Sequence, residues 1–391
     1  MTKPAFTKLE FPERRIAHLD MDMFFAGVEL LRYPELRGEA IVVGGRSVHT
    51  PQRQPDGSLK CARLRDYTGR GVVTTSTYEA RALGVFSAMG LMKSAQLAPD
   101  AILLPSDFES YRHYSRLFKA AVASITPVIE NRGIDEIYID LSAHQEDNLS
   151  LARRLKAAIF EATGLTCSIG IAANKLLAKI ASDLDKPDGI SIIDADNFET
   201  RIWPLAARKV NGIGPKAARK LEQLGIHTIA DLAAAEQTLL QEHFGLSYAR
   251  WLEDVAQGRD DRPLSTHSTP KSMSRETTFE RDMHAKQDKA RLSTVFTDLC
   301  QRVADDLQRK GYLGRTVGIK IKYHDFRTAT RDLSLPKPTN DPALIRKAAG
   351  ACLKRLPLDQ RFRLLGVRVS ALSSAEESAD RVPEQGRLFE S

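Results

Sequence analysis

The sequence predicts a multidomain protein of the α+β class, and three observations lead to this prediction. The chain has 391 residues, which is too many for one compact core and suits about two to four domains. Short apolar runs alternate with helical spacing up to residue 189, whereas residues 198–258 read as short helices throughout. A segment rich in Pro, Ser and Thr, 262–270, then precedes a basic segment with its own α+β pattern.

The apolar runs and polar breaks place the individual elements along the chain. Strands are predicted at 16–19, 40–43, 72–75, 128–130, 134–141, 166–172, 315–323, 326–333 and 362–371. Helices are predicted at 24–31, around Tyr78 and Arg81, and at 107–124, 149–163, 285–310 and 341–355. The polar residues 46–70, with two prolines and an Asp-Gly pair, predict a long exposed loop or hairpin.

Composition excludes several classes of protein. A hydrophobic fraction of 42% with 27% charged residues is ordinary for a folded chain. A membrane helix needs about 18 consecutive apolar residues, and no stretch approaches that length. The first ten residues lack the apolar core of a signal peptide, so a cytoplasmic location is predicted. The four cysteines are far apart and show no C-x-x-C spacing, which argues against a zinc site and against a disulfide framework.

The positive charge of the chain is concentrated in its last third. The net charge is +7, but residues 271–374 hold 22 Lys and Arg against 11 Asp and Glu, a local net of +11 that leaves −4 for the rest. This asymmetry predicts a polyanionic partner bound mainly by the basic module. Surface lysines also serve solubility, so the charge alone leaves that alternative open.

Acidic residues follow or interrupt two of the predicted strands. Asp20 and Asp22 come after the first strand, and Asp135 and Glu136 lie in a later one. Carboxylates at such places are costly unless they are paired or bind a metal. In an ideal strand Asp135 and Glu136 point to opposite faces, so both reach one centre only at a strand end or bulge, which the turn 131–133 supplies. Three oxygen donors without a nearby His or Cys favour magnesium, and two such ions suit phosphoryl transfer, although turn and helix-cap roles remain the alternative.

One further group of residues suits the binding of phosphates. Tyr78 and Arg81 lie three apart on one helical face, and with Lys186 they could hold a triphosphate by charge-assisted hydrogen bonds. A plain surface helix and a surface lysine are the alternative.

Residues 210–221 resemble a helix-hairpin-helix hairpin. Gly212 and Gly214 would let the backbone come close to a DNA phosphate, and the amides that open the next helix would donate to it. Lys216 and Lys220 would add attraction that is independent of DNA sequence. A simple turn between two helices is the alternative.

Taken together, the motifs resemble those of the Y-family (translesion) DNA polymerases, most closely the bacterial DNA polymerase IV branch. The matching segments follow the order of that family and cover the chain from Ile16 to Leu372. They are His18-Leu-Asp20-Met-Asp22-Met-Phe-Phe25, Tyr78-Glu-Ala-Arg81-x-x-Gly84-Val85, Ile134-Asp135-Glu136-x-Tyr138-x-Asp140 and the segment 170–187 with Asn174, Ala178, Ser182 and Lys186.

The resemblance implies a DNA-directed DNA polymerase that adds dNMP to a primer 3′-OH with low fidelity and without a proofreading exonuclease, in translesion synthesis and DNA repair. Asp20, Asp135 and Glu136, with the backbone carbonyl of Met21, would hold two magnesium ions, and Asp22 would support them. The nucleotide would contact a set of residues that includes the steric gate Phe25, whose ring leaves no room for a 2′-OH. That set is Phe24, Phe25, Tyr78, Arg81 and Lys186.

The resemblance also implies a right-hand architecture and a set of partners. The domains would be a palm (1–30 and 105–195), fingers (31–104), a helical thumb with the helix-hairpin-helix (196–258), a linker (259–269), a basic little finger (270–374) and a disordered tail (375–391). Partners would be primer-template DNA, dNTPs and, through Gln385, Leu388 and Phe389, the sliding clamp (beta subunit). The protein would be a monomer with no membrane partner.

The sequence departs from the family pattern at two places. Gly133 stands where the family more often has a serine. The segment 46–70 is longer than usual and carries six basic residues, which predicts extra contact with the template or a partner.

Two rival functions explain less of the chain. A non-catalytic adaptor with a polymerase fold would be expected to lose metal carboxylates, and this chain keeps all three. A helix-hairpin-helix glycosylase would need an essential Asp after the hairpin, but Asp231 reads better as part of a helix start. Neither rival accounts for the first 190 residues.

Overall fold

The computed structural model describes residues 14–267 and 269–375, and the chain divides into two units, Met1–His267 and Ser268–Ser391. The boundary falls within the predicted linker 259–269. The strands of the first unit are β1 (Ile16–Met21), β2 (Ile41–Gly45), β3 (Gln52–Arg53), β4 (Leu59–Lys60), β5 (Thr75–Ser76), β6 (Ile102–Pro105), β7 (Ile129–Asn131), β8 (Glu136–Asp140), β9 (Cys167–Ala172) and β10 (Ile190–Ile192). Its α-helices are α1 (Phe24–Arg32), α2 (Tyr78–Ala82), α3 (Leu91–Leu97), α4 (Phe108–Ala123), α5 (Asn148–Thr163), α6 (Lys175–Leu184), α7 (Phe198–Arg201), α8 (Pro215–Gln223), α9 (Ile229–Ala234), α10 (Gln237–Phe244) and α11 (Leu246–Ala256).

The main sheet of this unit has the strand order β10-β9-β1-β8-β7, and β1 lies at its centre. β1 pairs antiparallel with both β8 and β9, so both edges of its backbone are satisfied. Ala17 and Leu19 pack into the core that contains α4 and α5 residues, whereas Ile16 packs with residues of α6 on the opposite face. Because side chains alternate along a strand, His18 and Asp20 also lie on the α6 face.

A smaller sheet, with the order β5-β2-β6, is formed by strands within residues 41–105. The predicted hairpin in 46–70 is confirmed, since β3 pairs antiparallel with β4. The predicted strand 72–75 is mostly wrong, because Val72 forms a single bridge with Gly90 and the regular strand is only Thr75–Ser76. β6 was missed; it is a fully buried apolar run that pairs parallel with β2, and such runs carry no alternating pattern.

Residues 198–258 are helical, as predicted. Thr228 and Asp231 form a capping box at the start of α9: each side chain accepts a hydrogen bond from the other residue's backbone amide. This confirms the interpretation of Asp231 as part of a helix start.

The second unit is a four-stranded antiparallel sheet covered by two helices. Its elements are β11 (Ser272–Met283), α12 (Lys289–Arg309), β12 (Tyr312–Tyr323), β13 (Thr328–Thr339), α13 (Pro342–Leu353) and β14 (Phe362–Ser374), with the sheet order β11-β14-β12-β13. The α+β pattern is confirmed, but β11 was missed because it is an edge strand with a register shift that breaks its alternation. β13 runs further than predicted, through two prolines that an edge strand tolerates.

Between residues 14 and 375, Ser268 aside, no helix of the protein is long and apolar enough to cross a membrane.

Candidate active site

The carboxylates of Asp20 and Glu136 lie on one face of the main sheet. Asp20 is directly opposite Glu136 in the β1–β8 pair, and opposite residues of an antiparallel pair project on the same side. Asp135 precedes β8, and its carbonyl accepts a hydrogen bond from the amide of Met21 at 3.0 Å. The turn 131–133 closes this end, since the amides of residues 132 and 133 donate to the carbonyl of Glu136. The acidic pair therefore sits at a strand end, as predicted.

One cavity collects most of the predicted site residues. Its lining is Asp20, Met21, Met23, Phe24, Phe25, Thr74, Thr75, Tyr78, Arg81, Ser87, Asp135 and Lys186. Two carboxylates, one phenol and two cations thus face the same space, although they come from distant parts of the sequence. Glu136 does not line this cavity and instead lines a neighbouring pocket with Lys179.

Glu136 is held by two partners that sequence reasoning missed. Its Oε2 atom lies 2.6 Å from Nζ of Lys179 and 3.3 Å from Nε2 of His18. Hydrogen bonding to His18 and then to Lys179 lowers the pKa of Glu136 to about 2. The statement that no His lies near the carboxylates is therefore wrong: one donor atom each from His18, Asp20 and Glu136 lie within 4.8 Å of one another. The signal was present, because His18 is two residues before Asp20 and so shares its strand face.

His18 is a buried member of this group. It is fully buried, and its Nδ1 atom lies 2.8 Å from the hydroxyl of Ser182 on α6. Burial lowers the pKa of His18, despite its bond to Glu136. The imidazole is therefore neutral at physiological pH, and its hydrogen bond with Ser182 connects β1 to α6.

Burial disfavours the ionised forms of Asp20 and Asp135. Burial raises the pKa of Asp20 even though Lys186 lies beside it, and burial likewise raises the pKa of Asp135. Nζ of Lys186 is 3.0 Å from Asp20 and 2.9 Å from Asp183. Burial acts against the lysine's charge, but these two carboxylates raise its pKa overall. Carboxylates in this state favour a further cation, and hard oxygen donors fit a small divalent one.

The side chains of Tyr78 and Arg81 meet at the first turn of α2. The guanidinium carbon of Arg81 lies 4.7 Å from the centre of the Tyr78 ring, and Nε of Arg81 donates to the carbonyl of Ser76 at 3.1 Å. Burial, with the nearby charge of Asp22, raises the pKa of Tyr78 to about 12. The phenol is therefore a protonated donor at physiological pH.

Asp22 lies behind the cavity and does not line it. It is buried, and its carboxylate accepts hydrogen bonds from the hydroxyl of Ser168 and the amide of Asp188, both at 2.8 Å. The hydroxyl of Tyr78 is 3.4 Å away. Asp22 therefore connects β9 with the turn that follows Lys186.

The two adjacent phenylalanines have different surroundings. Phe24 is buried and packs edge-on against Phe118 of α4, with ring centres 6.2 Å apart. Phe25 is half-buried and stacks on the ring of Tyr111, with centres 4.3 Å apart and planes at 26°. Both residues line the cavity, but Phe24 is mainly a core residue, whereas the ring of Phe25 is only half-buried.

The two glycines of the predicted hairpin have different surroundings, and so do its two lysines. Gly212 has φ of +114°, and a Cβ there would come within 2.7 Å of the Trp251 ring. Gly214 opens α8 beside free space, and Lys216 is exposed. Lys220, in contrast, is half-buried, and its ammonium contacts the carbonyl of His243 in α10.

The predicted clamp-binding residues Gln385, Leu388 and Phe389 lie outside the described residues.

Comparisons with known proteins assign the chain to a family. Residues 19–183 match the model of the impB/mucB/samB family, and residues 270–382 match the model of its C-terminal domain. A DNA polymerase IV of Alkalilimnicola ehrlichii is 39% identical over 379 residues, which cover 96% of this chain and 98% of that protein. A DNA polymerase IV of Streptomyces coelicolor is 36% identical over 94% of this chain and 74% of that protein.

Solved structures agree with this assignment. A Y-family DNA polymerase chimera superposes with a TM-score of 0.75 at 25% identity, covering 91% of this chain and 98% of the other. An insertion ternary complex of Dbh DNA polymerase gives a TM-score of 0.63 at the same identity and coverage. The resemblance and the fold class inferred from the sequence are confirmed. The chain belongs to the Y-family of translesion DNA polymerases, in the DNA polymerase IV branch, and is a DNA-directed DNA polymerase.

Proposed function

We propose that this polymerase extends primers with low fidelity by two-magnesium phosphoryl transfer, in translesion synthesis and DNA repair, with no proofreading activity of its own. Asp20, Asp135 and Glu136, with the carbonyl of Met21, would hold the ions. The observation that carries the proposal is the single cavity in which two half-buried carboxylates face Tyr78, Arg81 and Lys186. Bound there, the ions would activate the primer hydroxyl and neutralise charge on the phosphates.

Asp20 is the carboxylate that links the two halves of the proposed metal site. It lines the cavity with Asp135 and also lies within 4.8 Å of a Glu136 oxygen. Glu136 is ionised at physiological pH, and Lys179 and His18 hold it on the sheet face that it shares with Asp20. For Glu136 to join a shared centre, its carboxylate has to turn from Lys179 toward Asp20.

The cationic side of the cavity would bind the triphosphate. The ammonium of Lys186 already lies between Asp20 and Asp183, so an incoming triphosphate replaces carboxylates as its partner. Arg81 offers a guanidinium that stays charged, and Tyr78 offers a hydroxyl that stays protonated. These donors would orient the phosphates for in-line attack.

Phe25 would select deoxynucleotides. Its ring lines the cavity beside Asp20 and the nucleotide-binding residues, while Phe24 supports it from the core. A ring against the sugar would leave no space for a 2′-OH, whereas a deoxyribose would fit.

The DNA duplex would be bound by backbone contacts. The hairpin of the thumb supplies Gly212, Gly214 and Lys216, while Lys220 is used within the thumb and would have to leave His243 to contact DNA. In the second unit, Lys320 and Arg368 lie on the sheet face opposite α12 and α13, because their neighbours in sequence pack into the helix-covered core. Such a face suits sequence-independent attraction to phosphates.

Several finer features stay predictions. The tail 375–391, with Gln385, Leu388 and Phe389, would dock on a sliding clamp and so raise the local concentration of the enzyme at primer ends. The monomeric state and the cytoplasmic location also stay predictions. Among the described residues, His18, Asp20 and Glu136 form the one cluster of three potential metal ligands.

Primer extension with magnesium and dNTPs tests the proposed chemistry. We expect Asp135→Asn to lower kcat/KM by about a thousandfold, because it removes a charge worth several kcal/mol in transition-state stabilisation. Asp140→Asn is the matched control: Asp140 ends β8, the strand that Asp135 precedes, is also half-buried and accepts a hydrogen bond from the amide of Ser142. Equal activity in the two variants would contradict the carboxylate assignment.

A further inference from the structure

Tyr111 of α4 packs against Phe25, the proposed steric gate. Its ring lies nearly parallel to that of Phe25, with centres 4.3 Å apart. Phe108, one turn earlier on α4, packs edge-on against both rings at 5.8 and 5.6 Å. One face of the Phe25 ring is therefore covered by the ring of Tyr111, with Phe108 packed beside both, and Phe25 cannot tilt toward Tyr111 unless Tyr111 moves.

Tyr111 is itself held in place by a buried carboxylate. Its side chain is fully buried, and its hydroxyl donates to Oε1 of Glu29 at 2.6 Å. Glu29 is only 2% exposed, which is an expensive location for a carboxyl group. Burial raises the pKa of Glu29, and the bond from Tyr111 partly offsets this. A pair of apolar residues would fill this space without that cost, so packing alone does not account for the pair.

The spacing on α1 explains how one tyrosine contacts both residues. Phe25 and Glu29 are four residues apart, so they lie on the same face of α1. The ring of Tyr111 meets the first, and its hydroxyl meets the second. Stacking alone leaves a ring free to slide over its neighbour, whereas a short buried hydrogen bond fixes the position of Tyr111 along α1.

We propose that Tyr111 and Glu29 are positioning residues for sugar selection, which hold the ring of Phe25 rigid against a 2′-OH. The inference rests on the proposed role of Phe25 as the steric gate. Steric exclusion of a group as small as a hydroxyl works only if the excluding ring cannot yield. Neither Tyr111 nor Glu29 lines the cavity, so both act through Phe25.

The test measures kcat/KM for a dNTP and for the matching rNTP opposite one template base. We expect Tyr111→Leu to lower the dNTP/rNTP ratio by about tenfold, mainly through faster rNTP insertion, as is usual for a pocket that gains the space of a small group. Tyr111→Phe and Glu29→Leu keep the bulk but lose the hydrogen bond, and we expect the ratio to fall about threefold. Glu29→Gln keeps an acceptor for the phenol and should retain most of the selectivity.

Phe118→Leu is the matched control. Phe118 is on the same helix and is equally buried, but it packs on Phe24 and not on Phe25. A purely structural effect would lower dNTP and rNTP insertion in parallel and leave the ratio unchanged, as we expect for this control. If Tyr111→Leu and Tyr111→Phe behave like Phe118→Leu, the inference is wrong.

Phe25→Ala, measured alongside, separates this inference from the proposal on which it rests. A large loss of selectivity in Phe25→Ala together with wild-type selectivity in the Tyr111 and Glu29 variants would overturn only the positioning role. Unchanged selectivity in Phe25→Ala would show that Phe25 is not the gate, and the positioning role would fall with it. In the background of Phe25→Ala, Tyr111→Leu should cause no further loss of selectivity.

Discussion

The charged groups of the two units are used in opposite ways. In the first unit, two half-buried carboxylates line one cavity, where partial burial raises the pKa of Asp20 and Asp135. In the second unit, a local net charge of +11 is spread over exposed side chains, and several of these pair with acids on the same surface, as Lys320 does with Glu276 and Arg368 with Asp332. The difference teaches that a reactive centre depends on the position of single charges, whereas a DNA-binding surface depends on their sum.

The contrast predicts very different sensitivities to single substitutions. In the first unit one carboxylate is expected to decide activity, and its burial is expected to cost stability. In the second unit each cation is one among many, and screening by solvent and salt weakens each of them.

The largest expected effect is that of Asp135→Asn, which should abolish nearly all activity and at the same time stabilise the protein. The pKa of Asp135 is raised in the folded state, so folding binds a proton more tightly there, and stability is lost as pH rises above the ordinary value of 3.8. The asparagine has no such cost. Without added metal, the variant should therefore have a higher Tm than the wild type at pH 7 and no advantage below pH 3.8.

Thermal unfolding across this pH range checks the prediction. Asp140→Asn is the control here too. A Tm for Asp135→Asn below that of the wild type at pH 7 would mean that the hydrogen bonds of this carboxylate outweigh its burial.

An intermediate effect is expected from cations on the open sheet face. Arg368→Ala should weaken binding of primer-template DNA about threefold at low salt, equally for different DNA sequences, and reduce the slope of log K against log salt by about one. Lys310, at the end of α12, is an exposed cation away from this face, and Lys310→Ala should leave both quantities unchanged. Equal losses in the two variants would mean that the face is not the DNA-binding surface.

The smallest effect is expected from the hairpin β3–β4. Of the basic residues in 46–70, Arg53 pairs with Glu35, and Arg65 pairs with Asp100, so part of their charge is used within the first unit. Replacing residues 52–60 by a short glycine linker should lower DNA affinity only about twofold. Equilibrium binding of primer-template DNA measures this, and no change at all would contradict the predicted contact with the template.

Sequence patterns identified most of the residues that line the candidate cavity, but not how these residues are arranged and held. Five of the predicted residues line the cavity: Asp20, Asp135, Tyr78, Arg81 and Lys186. They could be predicted because each belongs to a motif whose chemistry is visible in the residue types themselves. Partners whose roles depend on packing were missed. Tyr111 reads as one apolar position of an amphipathic helix, and nothing local shows that its ring supports Phe25.

Edge strands show the same limit at the level of the fold. β11 has only three buried hydrophobic side chains in twelve residues, so its alternation is too weak to detect before its partner is known. β6 is apolar on both faces because it is covered on both sides, a consequence of the fold that the local pattern does not reveal.

By itself, the sequence determined the α+β class, the order of most of the elements, the concentration of positive charge in the last third and the set of acidic, basic and aromatic residues that the proposed chemistry uses. These follow from composition, periodicity and local motifs. Only the tertiary structure decided that Glu136 is held by His18 and Lys179, that Lys220 contacts the carbonyl of His243 and that Tyr111 contacts both Phe25 and Glu29. The physical reason is that these contacts join residues distant in the chain, and their geometry is set by strand pairing and helix packing.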